Sequence, residues 1–266
     1  MEKWDLIIYA PAYNVEHSIN EFVSRVAKVA KNLRSKNINL QKMIIVNDGS
    51  ADTTGDKLDT LKNEVAFLRV IHKKRNEGAT KALFDGMAAV SKLVQKKNLN
   101  RTIVVRMDSD LEHQPEDIPK LIIPIVAGKS KVCVGYIPYD GRSGKDFVAF
   151  NKRIGGMESR EFVGTHVPQF CPGFNAIRAD LFAGLYKHLI FLSCKFCSEY
   201  GVEMLTVDFV ILALMRAMRE NVSVLRLRPI ENRYIKKQPL QKLAHYLDYH
   251  VRTVEFLRSI LAQRPL

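Results

Sequence analysis

Over its first 110 residues the sequence alternates short apolar runs with amphipathic stretches, and this alternation restricts the chain to very few folds. The runs WDLIIYA, KMIIVN, FLRVIH and RTIVV are short and apolar, which predicts buried strands, the first of them ending at Pro11. The stretches between them space apolar residues as a helix does, and Ser18 is a candidate N-cap for the first helix. Such an alternation predicts a mostly parallel, Rossmann-like α/β sheet with helices on both faces.

The remainder of the chain is less regular but shows the same kinds of pattern. Strands are predicted at KVCVGYIP and VSVLRLRP, a strand leading into a helix at FNAIRADLF, and a helix at VDFVILALMRAMREN. We expect one domain over residues 1–238, with halves at 1–120 and 121–238, and an amphipathic helix over 239–266. The apolar face predicted for that helix comprises Leu240, Leu243, Leu247, Val251, Val254, Leu257 and Leu261.

The composition is that of a globular protein with an excess of positive charge. Hydrophobic residues make up 47% of the chain, but no apolar run reaches the roughly 20 residues of a membrane-spanning helix. The N-terminus lacks the pattern of a signal peptide, and four scattered cysteines are too few for a disulfide framework, so we expect a reduced, intracellular chain. The net charge of +13 attracts phosphate groups, whether on nucleotides, nucleic acid or lipid.

Polar turns follow three of the predicted strands, at residues 11–14, 47–50 and 108–110. The carboxyl ends of parallel strands lie at one edge of a sheet, where ligands bind, so we expect these turns to converge. Asp108 and Asp110 would repel each other unless a cation lay between them, and such oxygen ligands suit Mg²⁺ or Mn²⁺ together with substrate phosphates. Each turn taken alone also fits a solvated loop; their common position favours a ligand site.

Four segments in order, APAYNVE, VNDGSADTTGD, RNEGATKALFDG and RMDSDLEHQPEDIP, resemble the family 2 glycosyltransferases. The resemblance covers about residues 5–120 and continues more weakly in PQFCPGFNAIRADLF, VDFVILALMRAMREN and RPIENR. The fourth segment is most similar to the polyprenol-phosphate branch, of the dolichol-phosphate mannose synthase type. The resemblance implies the GT-A fold, a UDP- or GDP-linked sugar donor, Mg²⁺ or Mn²⁺ as cofactor, and inversion at the transferred sugar carbon.

By this resemblance the first half binds the nucleotide sugar. Asp48 would contact the base, Asp108 would lie at the ribose and the metal, and Asp110 would hold the metal on the diphosphate. Glu16 stands one position later than the acidic residue usual in the family, because Val15 intervenes. The full set of nucleotide-sugar-binding candidates is Pro11, Ala12, Tyr13, Asn14, Glu16, Asp48, Gly78, Lys81, Asp108, Ser109, Asp110 and Gln114.

The second half would bind the acceptor, which is either a lipid phosphate or a glycan hydroxyl. A hydroxyl acceptor needs a general base. The resemblance points to Asp208, with Glu203 as the alternative, although Val207 replaces the acidic residue that usually precedes this aspartate. A polyprenyl phosphate needs cations instead, and the candidates are Arg142, Arg153, Arg233 and Lys236.

Two other classes of protein fit the sequence less well. A nucleotidyltransferase would carry a glycine-rich basic loop after the first strand, where this chain has APAYNVE. A nucleic-acid-binding module would interleave basic and aromatic residues on one face, whereas the basic residues here are dispersed, so we expect no nucleic-acid partner. The terminal helix fits either a membrane surface or packing on the domain, and its Asp248 and Glu255 favour packing. We expect a cytoplasmic protein, with peripheral contact at the cytoplasmic face of a membrane as an option.

Overall fold

The structure is a computed structural model that describes residues 2–137, 160–162, 164, 167, 173–201, 207–228 and 240–263, the side chains of 240–247 and 261–263 excepted. The first part follows the predicted alternation. Its elements are β1 (Trp4–Ala12), α1 (Ile19–Arg34), β2 (Ile38–Asn47), α2 (Thr54–Glu64), β3 (Leu68–His72), α3 (Ala79–Val94), β4 (Thr102–Arg106) and α4 (Ile118–Val126). Single turns of 3-10 helix lie at Leu99–Arg101 and Pro115–Asp117.

The second part supplies the remaining strands and three further helices of the described residues. These are β5 (Val132–Tyr136), β6 (Phe174–Arg178), α5 (Ala179–Tyr200), α6 (Val207–Ala217), β7 (Val222–Arg226) and α7 (Leu240–Gln263). Within the described ranges, all strands join one sheet in the order β3-β2-β1-β4-β6-β5-β7. Strand β6 runs antiparallel to both of its neighbours and the other pairs are parallel, which confirms the predicted mostly parallel sheet.

Helices cover both faces of the sheet, as predicted. Strand β1 shows how: Leu6 and Ile8 face a core shared with α1, α2 and α4, whereas Ile7 and Tyr9 face a core shared with α3, α5, α6 and α7. This alternation follows from the two-residue period of a strand. Burying each such large apolar side chain contributes roughly 1.5–3 kcal/mol, so β1 is anchored from both sides.

The prediction that β1 ends at Pro11 is wrong, because the strand continues to Ala12. The Pro11 carbonyl accepts a hydrogen bond from the Ser109 hydroxyl at 2.7 Å, and therefore points towards the β4 side of the strand. Strand β4 pairs with β1 only as far as Arg106, opposite Tyr9. The missing N–H of the proline therefore breaks no ladder hydrogen bond with β4.

Ser18 occupies the N-cap position of α1, but its side chain makes no capping hydrogen bond. Its hydroxyl lies instead within hydrogen-bonding distance of the carbonyl oxygens of Val15 (3.3 Å) and Ser109 (3.2 Å). The serine thus ties the start of α1 to the loop after β4.

Helix α7 packs against the domain through the part whose side chains are described. Phe256 is fully buried, and its ring lies 5.3 Å from that of Phe196 on α5. The apolar face predicted from the sequence needs a correction, because Val251 is 44% exposed. The buried positions on this part of α7 are His250, Thr253, Val254, Phe256 and Leu257. Tertiary packing selected a face that includes polar side chains, which hydrophobic periodicity does not register.

No helix in the described part of the chain is both long enough and apolar enough to span a bilayer.

Candidate active site

An open cleft of about 240 Å³ lies where β1, β2 and β4 end. These three strands are neighbours in the sheet, so the turns that follow them lie side by side, as predicted from the sequence. The residues that line the cleft are Pro11, Ala12, Tyr13, Val15, Asp48, Asn76, Gly78, Ala79, Ala82, Asp108, Ser109 and Asp110. Of the predicted nucleotide-sugar-binding residues, all line this cleft except Asn14, Glu16, Lys81 and Gln114.

The end of β1 is hydrogen-bonded to the turns that follow both neighbouring strands. The backbone N–H of Asp48 donates to the Ala12 carbonyl at 2.9 Å, and the Ser109 hydroxyl donates to the Pro11 carbonyl at 2.7 Å. Ser109 is buried, with 1% of its surface exposed, and holds the middle of the segment DSD against β1. Both flanking aspartates line the cleft, so the buried serine fixes the loop that presents them.

Asn14 and Glu16 brace the loop that leads to α2 instead of lining the cleft. Asn14 has a positive φ of 50°, its N–H donates to Ser50 Oγ at 3.0 Å, and its Oδ1 accepts from the N–H of Ala51 at 2.9 Å. The Glu16 carboxylate accepts hydrogen bonds from the Thr53 hydroxyl and N–H, which hold its pKa below the usual value.

Lys81 and Gln114 also lie away from the lining of the cleft. The Lys81 side chain is 51% exposed on α3, and its Nζ is 3.9 Å from the Glu77 carboxylate. Gln114 is largely buried at the position that precedes the 3-10 turn at Pro115–Asp117.

Asp48 is buried together with a lysine that the sequence interpretation missed. The Nζ atom of Lys73 lies 2.7 Å from Asp48 Oδ1, and the N–H of Glu77 donates to the same oxygen at 3.1 Å. Burial acts to lower the pKa of Lys73, but the carboxylates of Asp48 and Glu77 raise it above its usual value. The sequence did contain a signal for this contact: Lys73 directly follows β3, and β3 is the neighbour of β2, the strand that Asp48 follows.

Gly49 allows the turn after β2 to pack against the loop that precedes α3. Its φ is 64°, and a Cβ atom at this position would lie 2.3 Å from the carbonyl carbon of Arg75 and 2.5 Å from the N atom of Asn76. No side chain fits there, because the clash is with backbone. Helix α3 then begins after Gly78, and its N-terminus borders the cleft with a partial positive charge.

A buried arginine joins Asp108 to Asp208, and this residue too was missed. Arg106 is the last residue of β4; its Nη2 lies 2.9 Å from Asp108 Oδ1 and its Nη1 lies 3.4 Å from Asp208 Oδ2. Asn175 on β6 donates from Nδ2 to Asp208 Oδ1 at 3.0 Å. The two halves of the chain therefore meet in one cluster, in which hydrogen bonds join Arg106 to Asp108 and Asn175 to Asp208, and an ion pair joins Arg106 to Asp208. The signal in the sequence was Arg106, a charged residue that directly follows the apolar residues IVV of a predicted buried strand.

Asp208, the predicted general base, is only 6% exposed at the start of α6 and is not among the residues that line the cleft. Burial raises its pKa to about 6, an effect that Arg106 opposes and that the nearby Asp108 reinforces. A carboxylate with this pKa can exchange a proton near neutral pH.

His113 contacts the other oxygen of Asp108, with Nδ1 3.5 Å from Oδ2. Burial lowers the pKa of His113, although Asp108 acts in the opposite direction. A neutral imidazole at this point leaves Arg106 as the positively charged partner that the structure shows for Asp108.

Asp108 and Asp110 fit a divalent cation that is shared with a substrate. Two carboxylates at an open cleft leave coordination positions for phosphate oxygens and water, which is how Mg²⁺ is usually bound. Within the described ranges, no cluster of three or more His, Cys, Asp or Glu side chains could hold a metal ion by itself.

Five predicted site residues lie outside the described part of the chain, and their roles stay predictions. They are Glu203, Arg142, Arg153, Arg233 and Lys236.

The family model described as "Glycosyl transferase family 2" matches residues 7–185. The chain is 29% identical over 128 residues to "Dolichol-phosphate mannosyltransferase" of Pyrococcus furiosus, a match that covers 48% of this chain and 32% of that protein. It is 27% identical over 213 residues to "UDP-N-acetylglucosamine--dolichyl-phosphate N-acetylglucosaminyltransferase" of Methanococcus voltae, covering 73% and 78%. The chain thus spans about a third of the length of the Pyrococcus relative.

Among solved structures, the chain is similar to glucosyl-3-phosphoglycerate synthase from Mycobacterium tuberculosis, determined with Mn²⁺, UDP-glucose and phosphoglyceric acid. The TM-score is 0.57 at 18% sequence identity, covering 96% of this chain and 80% of that one. At this identity the likeness shows a common fold, and it confirms the GT-A fold that the resemblance implied.

Proposed function

Because the chain belongs to glycosyl transferase family 2, we propose that it transfers a sugar from a nucleoside-diphosphate sugar to a polyprenyl phosphate, with inversion at the transferred carbon. The names of the Pyrococcus and Methanococcus relatives both contain a dolichol or dolichyl phosphate. The observation that carries the proposal is the cleft at which Asp48, Asp108 and Asp110 meet from separate strand ends.

The cleft offers a group for each part of the donor. Tyr13 is 46% exposed at the cleft and presents an aromatic surface to a base, and Asp48 would accept a hydrogen bond from the base. The N-terminus of α3, at Gly78 and Ala79, favours the negative charge of a diphosphate.

Asp108 and Asp110 would hold Mg²⁺ or Mn²⁺ beside the diphosphate. The ion, when bound, neutralises the charge that develops on the departing nucleoside diphosphate. The chain itself contributes two carboxylates in a fixed loop: the Ser109 hydroxyl anchors that loop to β1, and Arg106 holds one oxygen of Asp108.

A polyprenyl phosphate is the acceptor that the geometry favours. Its second pKa is about 6, by analogy with other phosphate monoesters, so it is an ionised nucleophile without help from a base. Asp208 is buried, ion-paired with Arg106 and hydrogen-bonded to Asn175, and these contacts occupy the carboxylate that a hydroxyl acceptor would need as its base. The cations proposed to hold the acceptor phosphate are Arg142, Arg153, Arg233 and Lys236.

The alternative is a glycan hydroxyl as acceptor, with Asp208 as the base. One observation supports this alternative: burial raises the pKa of Asp208 to about 6. A carboxylate with this pKa could accept a proton at neutral pH. This version requires a rearrangement that exposes the Asp208 carboxylate to the acceptor, because Asp208 is buried and does not line the cleft.

A polyprenyl acceptor also implies peripheral contact with a membrane, and we place that contact at the cytoplasmic face. The net charge of +13 would attract the anionic head groups of that face.

Transfer assays test the proposal and separate its two versions. Wild type and Asp208→Asn would be incubated with UDP- and GDP-linked sugars, Mn²⁺, and either a short polyprenyl phosphate or a glycan. We expect transfer to the polyprenyl phosphate, retained within about tenfold in Asp208→Asn because a phosphate monoester is already ionised. Transfer only to the glycan, abolished in Asp208→Asn, would establish the alternative, and no transfer from any donor would refute both.

A further inference from the structure

The backbone of Arg106 is paired with both neighbouring strands at the point where its side chain enters the site. Its backbone pairs with Tyr9 of β1 on one side and with Asn175 of β6 on the other. Only 8% of its side chain is exposed. A buried guanidinium with so little freedom presents its planar fork in one orientation.

The two arms of this fork contact carboxylates from the two halves of the chain. Nη2 is 2.9 Å from Asp108 Oδ1, and Nη1 is 3.4 Å from Asp208 Oδ2. Asp208 is in turn fixed by Asn175, so the guanidinium is supported on the side away from the cleft. Asp108 is one third exposed and lines the cleft, so it is the carboxylate through which the arginine can act on a ligand.

Gly173 supplies the space that this arrangement needs. A Cβ atom at this position would lie 2.0 Å from Arg106 Nη1 and 2.6 Å from Asp108 Oδ2. Gly173 is not among the glycines with a positive φ, so its backbone conformation would accept an alanine. Glycine is therefore needed at position 173 because a side chain there would clash with the guanidinium of Arg106.

We propose that Arg106 is a positioning residue for the candidate metal site: its fork sets the orientation of the Asp108 carboxylate, and Gly173 leaves room for that fork. The inference rests on the proposed function, because it assumes that Asp108 binds a divalent ion. Arginine and metal repel each other as like charges, yet a partner that orients a ligating carboxylate typically changes metal affinity or activity by about 10–100-fold. A test must therefore alter the orientation and keep the charge.

The first test compares Arg106→Lys with Arg178→Lys. Lysine keeps the charge but lacks the fork. Arg178 is the control because it, too, pairs with the aspartate two residues after it: its Nη2 lies 2.7 Å from Asp180 Oδ2. This pair lies at the end of β6, whereas the residue of β6 that pairs with Arg106 is Asn175, near the start of the strand. Dissociation constants for Mn²⁺ would be measured from the paramagnetic resonance signal of the free ion, with metal alone and with UDP or GDP added. We expect binding about 10–100-fold weaker in Arg106→Lys and unchanged in Arg178→Lys.

The second test disturbs the arginine–aspartate pair without changing any charge. In Gly173→Ala the new methyl group would press against both Arg106 Nη1 and Asp108 Oδ2, so the two groups must shift relative to each other. Gly184→Ala on α5 is the control, since its Cβ would have no other atom within 4 Å. We expect Mn²⁺ binding at least about tenfold weaker in Gly173→Ala and unchanged in Gly184→Ala.

Thermal unfolding of all four variants accompanies these measurements. If Arg106→Lys and Gly173→Ala bind Mn²⁺ as wild type does, the positioning role is refuted while the proposed function stands. If wild type binds no Mn²⁺ with metal alone, UDP or GDP, the metal-dependent function fails and this inference fails with it. If both variants unfold while their controls remain folded, the arginine has a structural role, and the inference is equally overturned.

Discussion

The two halves of the molecule present their candidate site residues in different ways. In the first half the residues come from turns that directly follow β1, β2 and β4, and short hydrogen bonds join these turns to one another. In the second half the described candidate, Asp208, lies in the first turn of a helix, is buried, and is linked to Asp108 through Arg106. Neighbouring strand ends therefore bring together the residues of the proposed donor side, whereas Asp208, on the proposed acceptor side, depends on contacts between distant segments.

The largest expected effect is the loss of a proposed metal ligand on the proposed donor side. Asp110→Asn removes one of the two carboxylates at the cleft, and we expect transfer to fall by on the order of 100–1000-fold, because a bound ion supplies several kcal/mol of charge stabilisation. Rates would be measured over a range of Mn²⁺ concentrations. The control is Asp56→Asn, an exposed aspartate on α2. Equal rates in Asp110→Asn and wild type would place the metal elsewhere.

A second prediction concerns the stability of the donor side. Lys73→Met leaves the carboxylate of Asp48 buried without its cation, and we expect the free energy of unfolding to fall by about 3–5 kcal/mol. Denaturant unfolding measures this change. Lys81→Met is the matched control: its ammonium is exposed and 3.9 Å from its carboxylate, so less than about 1 kcal/mol is expected. Similar losses in the two variants would show that burial of Asp48 is unimportant.

The smallest effect is expected on the proposed acceptor side, where a substitution should raise the free energy of unfolding instead of lowering it. Burial raises the pKa of Asp208 from 3.8 to about 6, so the folded state binds a proton more tightly than the unfolded state does. The stability that this proton provides is complete below about pH 4 and is lost as the pH rises through 6. Asp208→Asn imitates the protonated form, so we expect it to be more stable than wild type at pH 7.5, by about 1–3 kcal/mol.

Urea unfolding of Asp208→Asn and wild type at pH 7.5 and at pH 4 checks this prediction. The difference should disappear at the lower pH, where Asp208 in wild type is protonated in the folded state. A variant that is less stable than wild type at pH 7.5 would mean that the contacts with Arg106 and Asn175 outweigh the cost of burying the charge. In both halves, removing one charge of a buried ion pair would then lower the free energy of unfolding.

The first half was predictable because its signals are local. The strands and helices over residues 4–106 follow the predicted order, and the turns at 11–14, 47–50 and 108–110 converge as expected. The error at Ser18 arose because its side chain found a partner in another segment: it contacts Ser109 instead of capping α1. Glu16 contacts Thr53 and lies outside the lining of the cleft, and its proposed role in binding the nucleotide sugar stays a prediction. The division at residue 120 into a nucleotide-binding and an acceptor-binding half stays a prediction.

By itself the sequence determined the mostly parallel sheet, the edge at which its turns meet and the carboxylates placed there, because periodicity and turn residues act over a few positions. Only the tertiary structure decided which groups stand behind those carboxylates. Lys73 reaches Asp48 because β3 lies next to β2, and Arg106 reaches Asp208 because antiparallel β6 brings Asn175 beside it. These pairings depend on strand order and register, which no local pattern specifies, and burial then makes each charge depend on its partner.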